Sequence, residues 1–506
     1  MAELNYVCRR KIPKIGAFFN SIGAFSEEGR KKEEKAFTEL FSKLKKDKTI
    51  SDDSILWPKR TFHVHDVKKA LVKFAAARVD GVILVDSAFP NGNAFTTLAG
   101  DPYLARIPII ITADAEPEFK NNREWTTNAW CGVIMNNCAA KQMGRFVYPL
   151  AGYPLDEKYI SELKKILRTA AVIATMRDDY LIRFGDMPAG FHSATVSELA
   201  LTNTFGTRIE TVDVAQVLYT YEKMEARGLL GVKKFTEKEV ENSTREIMKG
   251  RPCLVPPEMV KASMRLYHAY KALIEVNGGT SAAFKCWPEL QSEHIFKFTP
   301  CLAMGKLMGD GIISGAGCEA DVITAVAQSL GTYLSGLPAA CLDFVNYTAG
   351  SEVIQLGHCG VGIPGCMEKN TPVIPDRPSE ETIKKIEKGY IKISEAIGYS
   401  SPPKQVGFMT GSNLIGQLRY GKKTGIAMVP DRDKKFKMLI FTGESSSSSA
   451  KHMLYIASDV AVKDYKRLNE VILEEGFPHH LAMAFGDISQ ELKILCEYYG
   501  IRCVEV

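Results

Sequence analysis

The sequence predicts an α/β protein: two α/β domains followed by a β-rich, barrel-like domain with a closing helix. Three observations predict this. Short β-branched apolar runs alternate with helical stretches through the first part of the chain, which argues for a parallel sheet layered with helices. A second set of alternating runs follows up to about residue 350. From residue 404 onward short strands succeed one another, separated by Gly, Pro and Ser clusters, a spacing that suits a barrel or sandwich.

In order along the chain, 12–19 (IPKIGAFF), 81–86 (GVILVD), 108–114 (PIIITAD) and 131–136 (CGVIMN) read as buried strands. The charged segment 26–47 and VKKALVKFAAA at 67–77 read as helices between them. In the second domain AVIATM at 171–176 reads as a strand, 196–205 as a helix and 208–214 as a strand, with helices near 235–250 and 257–276. The stretch 310–360 reads as strand, Gly turn, helix, strand and a third strand. Beyond the break Pro402–Pro403 come VGFMTG, LIGQLRY, GIAMVP, KMLIFTG and MLYIAS, with Ser445–Ser449 as a loop and a closing helix near 489–499. The expected divisions are 1–168, 169–350 and 351–506.

The 506 residues carry 64 Lys+Arg against 59 Asp+Glu, a net charge of +5. No uniform positive field is available for nucleic acid or a membrane surface. No apolar run is long enough to span a bilayer, and the N-terminus has no signal-peptide shape. The 12 Cys include no C-x-x-C pair, so no zinc cage is visible; a cytoplasmic location is the expectation.

The chemistry concentrates in 310–360. Glu319 lies at the turn from strand to helix, and Asp343 lies in the next strand. If the unit is a parallel βαβ, both carboxylates share one sheet edge, where ligands bind, and His358 can join them. Phe477-Pro478-His479-His480 supplies two imidazoles. Two carboxylates with one or two imidazoles suit Mn²⁺, Mg²⁺, Fe²⁺ or Co²⁺ better than a thiolate cage. Lys285-Cys286-Trp287-Pro288-Glu289 places a Lys and a Glu beside a Trp, the makings of a sugar-sized polar lining. The Gly/Pro-rich segment 183–191 is a candidate binding loop. His63 and His65 alternate across an expected strand, and His192, His268, His294 and His452 read as structural.

Each feature also has a plainer reading. Glu319 and Asp321 suit a helix N-terminus through its dipole, and a His pair is often a packing element. Residues 315–320 (GAGCEA) also fit G-x-G-x-x-A, with an acidic residue more than 20 positions later, the pattern of a nicotinamide-dependent oxidoreductase. Glu319 opposes that reading, because it sets a negative charge where a pyrophosphate would sit. A sugar-binding sensor without turnover is the remaining alternative.

Taken together, residues 183–214, KCWPE at 285–289, GAGCEAD at 315–321, LDFVNY at 342–347, LGHCG at 356–360 and PHH at 478–480 resemble the L-fucose/L-arabinose isomerase family. The resemblance implies two Rossmann-like domains, a C-terminal β-barrel and a ketol isomerase that interconverts a free aldopentose or 6-deoxyhexose with its ketose, using Mn²⁺. It implies Glu319, Asp343 and His480 as metal ligands, with Glu319 and Asp343 also moving protons. His358, Lys285, Trp287, Glu289 and His479 would contact the sugar. It further implies a homo-oligomer, hexamer or trimer, with the site near a subunit interface. Two departures stand out. Phe18 and Phe19 occupy the stretch where the fucose type has an Arg, and Asp343 is the shorter acid, as in the fucose type.

Overall fold

The computed structural model describes residues 6–115, 126–251, 253, 255–290, 299–346, 350–358, 361–368, 395–399, 412–446 and 456–506. It divides into two compact units, Arg10–Thr175 with Glu497–Gly500, and a larger one built mainly from Met176–Cys496.

The first unit is a five-stranded parallel sheet. Its elements are β1 (Ile15–Asn20), α1 (Glu27–Lys46), β2 (Ile55–Leu56), α2 (Val64–Ala77), β3 (Gly81–Asp86), α3 (Gly92–Ala99), β4 (Ile109–Ala113), α4 (Ala129–Gln142), β5 (Val147–Ala151) and α5 (Glu157–Met176). The strand order is β2-β1-β3-β4-β5. Strands β1, β3 and β4 are buried along their whole length, as strands covered by helices on both faces must be. Helix α1 starts at Ser26, whose side chain accepts from Gly29 N. It buries Arg30, Glu33, Phe37, Leu40, Phe41 and Leu44, the spacing of one helical face.

Three strand expectations fail here. Residues 131–136 lie inside α4, where Ala129, Gly132, Val133, Asn136 and Ala140 are buried; a six-residue apolar window cannot distinguish this period from a strand. Residues 171–176 are the last turns of α5, buried on every side. His63 and His65 do not alternate across a strand: His63 precedes the first turn of α2 and His65 lies within it. Phe18 and Phe19 are core residues of β1.

The larger unit opens with β6 (Tyr180–Phe184), α6 (Glu198–Phe205), β7 (Arg208–Val212), α7 (Val214–Lys223), β8 (Glu225–Gly228), β9 (Gly231–Lys234), α8 (Glu237–Met248), α9 (Pro257–Asn277), β10 (Ser281–Phe284), α10 (Cys301–Gly309), β11 (Ala316–Cys318) and α11 (Val322–Ser335). Four of its strands form a second parallel sheet, β11-β10-β6-β7. The loop at 183–191 therefore follows β6, not a strand at 171–176.

The chain continues with β12 (Ala340–Asn346), β13 (Val353–His358), β14 (Glu395–Tyr399), β15 (Ser412–Gln417), β16 (Gly421–Pro430), β17 (Phe436–Ser445), β18 (Ile456–Val462), α12 (Tyr465–Glu475), β19 (His480–Phe485), α13 (Ser489–Tyr499) and β20 (Arg502–Glu505). These strands form a mixed sheet in which β18, β13, β12, β19, β16 and β17 follow one another, and β17 pairs back to β18. The expected β-rich, barrel-like region is present as a ring-like mixed sheet. VGFMTG at 406–411, Pro402–Pro403, His294, His452, residues 369–378 and residues 447–449 lie outside the described residues.

One expectation about the site changes. The stretch 310–360 is not a single parallel βαβ unit. Strand β11 belongs to the parallel sheet, whereas β12 crosses into the ring and runs antiparallel to β19. One continuous apolar core joins the two, from Ile182, Phe184 and Phe284 to Leu356, Val460 and Met483.

Candidate metal centre

The first carboxylate is placed by a tight turn. Strand β11 ends at Cys318, and Glu319 and Ala320 follow in the left-handed region at φ 58° and 59°. Such a conformation costs an L-residue roughly 1–2 kcal/mol and clusters at functional sites. Ala320 N is held by Phe284 O at 2.8 Å. The turn packs so closely that a Cβ at Gly317 would lie 2.0 Å from Asp321 O, and one at Gly315 would lie 2.1 Å from Ala325 O. The glycines thus let β11 touch α11. They do not cradle a phosphate, because the first amides of α11, on Ile323 and Thr324, already donate to Asp321 Oδ1 at 3.0 Å each. The dinucleotide reading has no free anion site at this turn.

The second carboxylate and the imidazole come from paired strands. Asp343 on β12 stands directly opposite His480 on β19, and cross-strand neighbours point to the same face. His480 Nε2 lies 3.2 Å from Glu319 Oε2 and 3.5 Å from Asp343 Oδ1. His358 ends β13, next to β12, and its ring centroid is 5.8 Å from that of His480. Ligand atoms of Asp343, His358 and His480 all lie within 4.8 Å of one another, as do those of Glu319, His479 and His480. His480 is 1% exposed, while Glu319 and Asp343 are partly open.

These groups fit a divalent cation. Asp343 Oδ1 is buried and makes no hydrogen bond, an expensive state for a carboxylate oxygen unless something else coordinates it. The donor set of hard oxygens with imidazole nitrogen suits Mg²⁺, Mn²⁺, Fe²⁺ or Co²⁺.

The electrostatics are tightly shared. Burial pushes the Glu319 carboxyl upward, but the His480 hydrogen bond and charge hold it below the ordinary carboxylate range. Asp321 behaves in the same way, with burial opposed first by His480. Burial alone would lower His480, yet its hydrogen bonds to Asp321 and Glu319 raise it well above the usual histidine value. His479, although its side chain reaches solvent, is lowered, first by partial desolvation against the centre and then by the charge of His480.

Around this centre stand the other expected residues. Trp287 Nε1 donates to Glu319 Oε1 at 2.5 Å. Lys285, at the end of β10, pairs with Glu289 at 3.0 Å. His479 is exposed, its ring 4.3 Å from that of His480. The structure thus gathers Glu319, Asp343, His358, His479, His480 and Trp287. Lys285 and Glu289 lie in the same segment as Trp287 and pair with each other. Two residues were missed. Phe191, at the end of the 183–191 loop, lies edge-on to His479 at 5.2 Å, tilted over His480 at 5.6 Å and edge-on to Trp287 at 6.4 Å. Asp321 Oδ2 accepts from His480 Nδ1 at 2.9 Å. GAGCEAD contains Asp321, but only the packing of α11 on β19 reveals the contact.

Residues 16–177 match the family model described as fucose/sulfoquinovose isomerase, N-terminal domain. The resemblance read from the sequence thus holds for this isomerase N-terminal domain, although the motifs that carried it lie beyond residue 177. Across more of the chain, the sulfoquinovose isomerase of Clostridium sp. (strain MSTE9) is 24% identical over 418 residues, covering 79% of this chain and 82% of that protein. The sulfoquinovose isomerase of Alkalicoccus urumqiensis is 20% identical over 446 residues, covering 86% and 88%. The homologues of this chain are therefore sugar isomerases.

Proposed function

We propose that the chain is a metal-dependent aldose–ketose isomerase acting on a free aldopentose or 6-deoxyhexose. Sulfoquinovose, a 6-deoxyhexose bearing a sulfonate, enters this substrate class because it is named in both relatives. The observation that carries the reading is the convergence of Glu319 Oε2 and Asp343 Oδ1 on His480 Nε2, at 3.2 and 3.5 Å, from three separate elements.

Glu319, Asp343 and His480 would hold the cation, Mn²⁺ by the family resemblance. Bound there, it would supply Lewis-acid stabilisation of the negative charge that develops on the sugar oxygens. The rest is the work of the chain. Isomerisation moves one proton between C1 and C2 and one between O1 and O2, so it needs groups that accept and return protons at the reacting carbons and oxygens. Glu319 is ionised at neutral pH, since its carboxyl lies below the ordinary range. It is the group that would accept the proton, and Trp287 fixes its orientation through Oε1. Asp343 serves as the second proton carrier. His358, His479, Lys285, Trp287 and Glu289 orient sugar hydroxyls. Phe191, beside both imidazoles, limits water at the centre. A homo-oligomer, hexamer or trimer, with the site near a subunit interface, belongs to the same proposal.

The test is a panel of aldopentoses, 6-deoxyhexoses and sulfoquinovose, assayed after chelation and after add-back of Mn²⁺, Co²⁺, Mg²⁺ or Fe²⁺. Metal-restored interconversion of one sugar, with solvent deuterium entering the product carbon, is expected. Sugar binding without turnover under every metal would replace the enzyme with a sensor.

A further inference from the structure

We propose that Asp321 is a positioning residue that fixes the tautomer and orientation of His480; this rests on the metal-dependent reading above. Its carboxylate is 2% exposed and fully engaged. Oδ1 accepts from Ile323 N and Thr324 N at 3.0 Å each, and Oδ2 accepts from Thr324 Oγ1 at 2.7 Å and from His480 Nδ1 at 2.9 Å. Four donors leave it no freedom to swing. An ionised carboxylate only accepts, so Nδ1 must carry a proton and Nε2 is left as the coordinating nitrogen. Nε2 is the atom that faces Glu319 and Asp343.

The same turn supplies both clamps. Glu319 meets Nε2 and Asp321, two residues on, meets Nδ1. The left-handed pair Glu319–Ala320 and the close approach allowed by Gly317 set this geometry. Asp321 is thereby both the N-cap of α11 and the anchor of an imidazole on β19. A carboxylate behind a ligating histidine raises its basicity, and losing such a partner typically weakens metal affinity 10–100-fold.

Asp321→Asn separates the two roles. Asn caps a helix as well as Asp does, so Oδ1 keeps the amides of Ile323 and Thr324. Its amide nitrogen, however, donates to Nδ1 and forces the proton onto Nε2. Calorimetric titration of the metal-free full-length protein with Mn²⁺ should show a dissociation constant raised about 10–100-fold, in a variant that still unfolds cooperatively. Asp321→Ser, which caps but is too short to reach the imidazole, should weaken Mn²⁺ binding as well. Mn²⁺ binding by both variants within threefold of the wild type would mean that Asp321 only caps the helix, and would overturn the proposal while leaving the metal reading intact. A wild-type protein that binds no Mn²⁺ would overturn both.

Discussion

Glu319 combines a proposed chemical role with a strained backbone. Substituting Gln keeps its size and removes the base, so Glu319→Gln should lower kcat about 10²–10⁴-fold with little change in the unfolding midpoint, measured with whichever sugar the panel identifies. Ala320 shares the left-handed conformation at φ 59°. Ala320→Gly should relieve that strain and raise the unfolding free energy by about 0.5–1 kcal/mol, as read by denaturant titration; a loss of stability would show that the turn is not strained. At this scale the sequence was legible where residue type states the chemistry. Glu319, Asp343 and His480 are carboxylates and imidazole in short apolar or Gly-rich settings, and the structure brings them together. Asp321 was legible only as a helix cap, because its contact with His480 spans 159 residues.

The element that matters most is the β11–α11 corner. Its Gly-x-Gly spacing is a packing device: a methyl group at Gly315 would fall 2.1 Å from Ala325 O, and backbone cannot yield as a flexible side chain does. Gly315→Ala should therefore destabilise by about 3 kcal/mol or more, visible as a drop in denaturant midpoint; near-neutral behaviour would contradict the packing account. Long amphipathic elements such as α1 and α9 were readable because a buried face repeats many times. Short apolar windows were not. CGVIMN and AVIATM look like strands until the helical periodicity on either side is counted, and with 171–176 read as the strand, β6, three residues beyond α5, goes unseen. The route of β12 out of the parallel sheet was hidden for another reason. Nothing in LDFVNY distinguishes a parallel partner from an antiparallel one, and only the pairing with β19 decides it.

Across the molecule buried acids are shifted in both directions: Glu319 and Asp321 downward, Asp179, Asp86 and Glu33 upward. In the N-terminal unit, burial pushes Asp86 well above the ordinary range despite amide donors from Asn136 and Asn20. Burial and then Asp114 do the same to Glu33. An acid whose folded value is raised keeps its proton while the unfolded chain has lost it. That contribution to stability is complete below the unfolded value and is lost as pH rises through the folded one. Asp86→Asn removes the titrating group, and the unpaired Oδ1 atoms of Asn20 and Asn136 can turn to accept from the new amide. The variant should show a flatter fall in unfolding midpoint as pH rises above the ordinary Asp range of about 4; an unchanged slope would place the dependence elsewhere.

The fold class could be read from alternating runs, and the ring-like region from its strand spacing. The meeting of the parallel sheet with the ring at the candidate metal centre could not, since it depends on contacts between segments more than 100 residues apart. The most direct test is a crystal soaked in Mn²⁺ and measured at the manganese absorption edge. One anomalous peak within coordination distance of Glu319, Asp343 and His480 is expected. A peak elsewhere, or none with the three side chains ordered as described, would contradict the account.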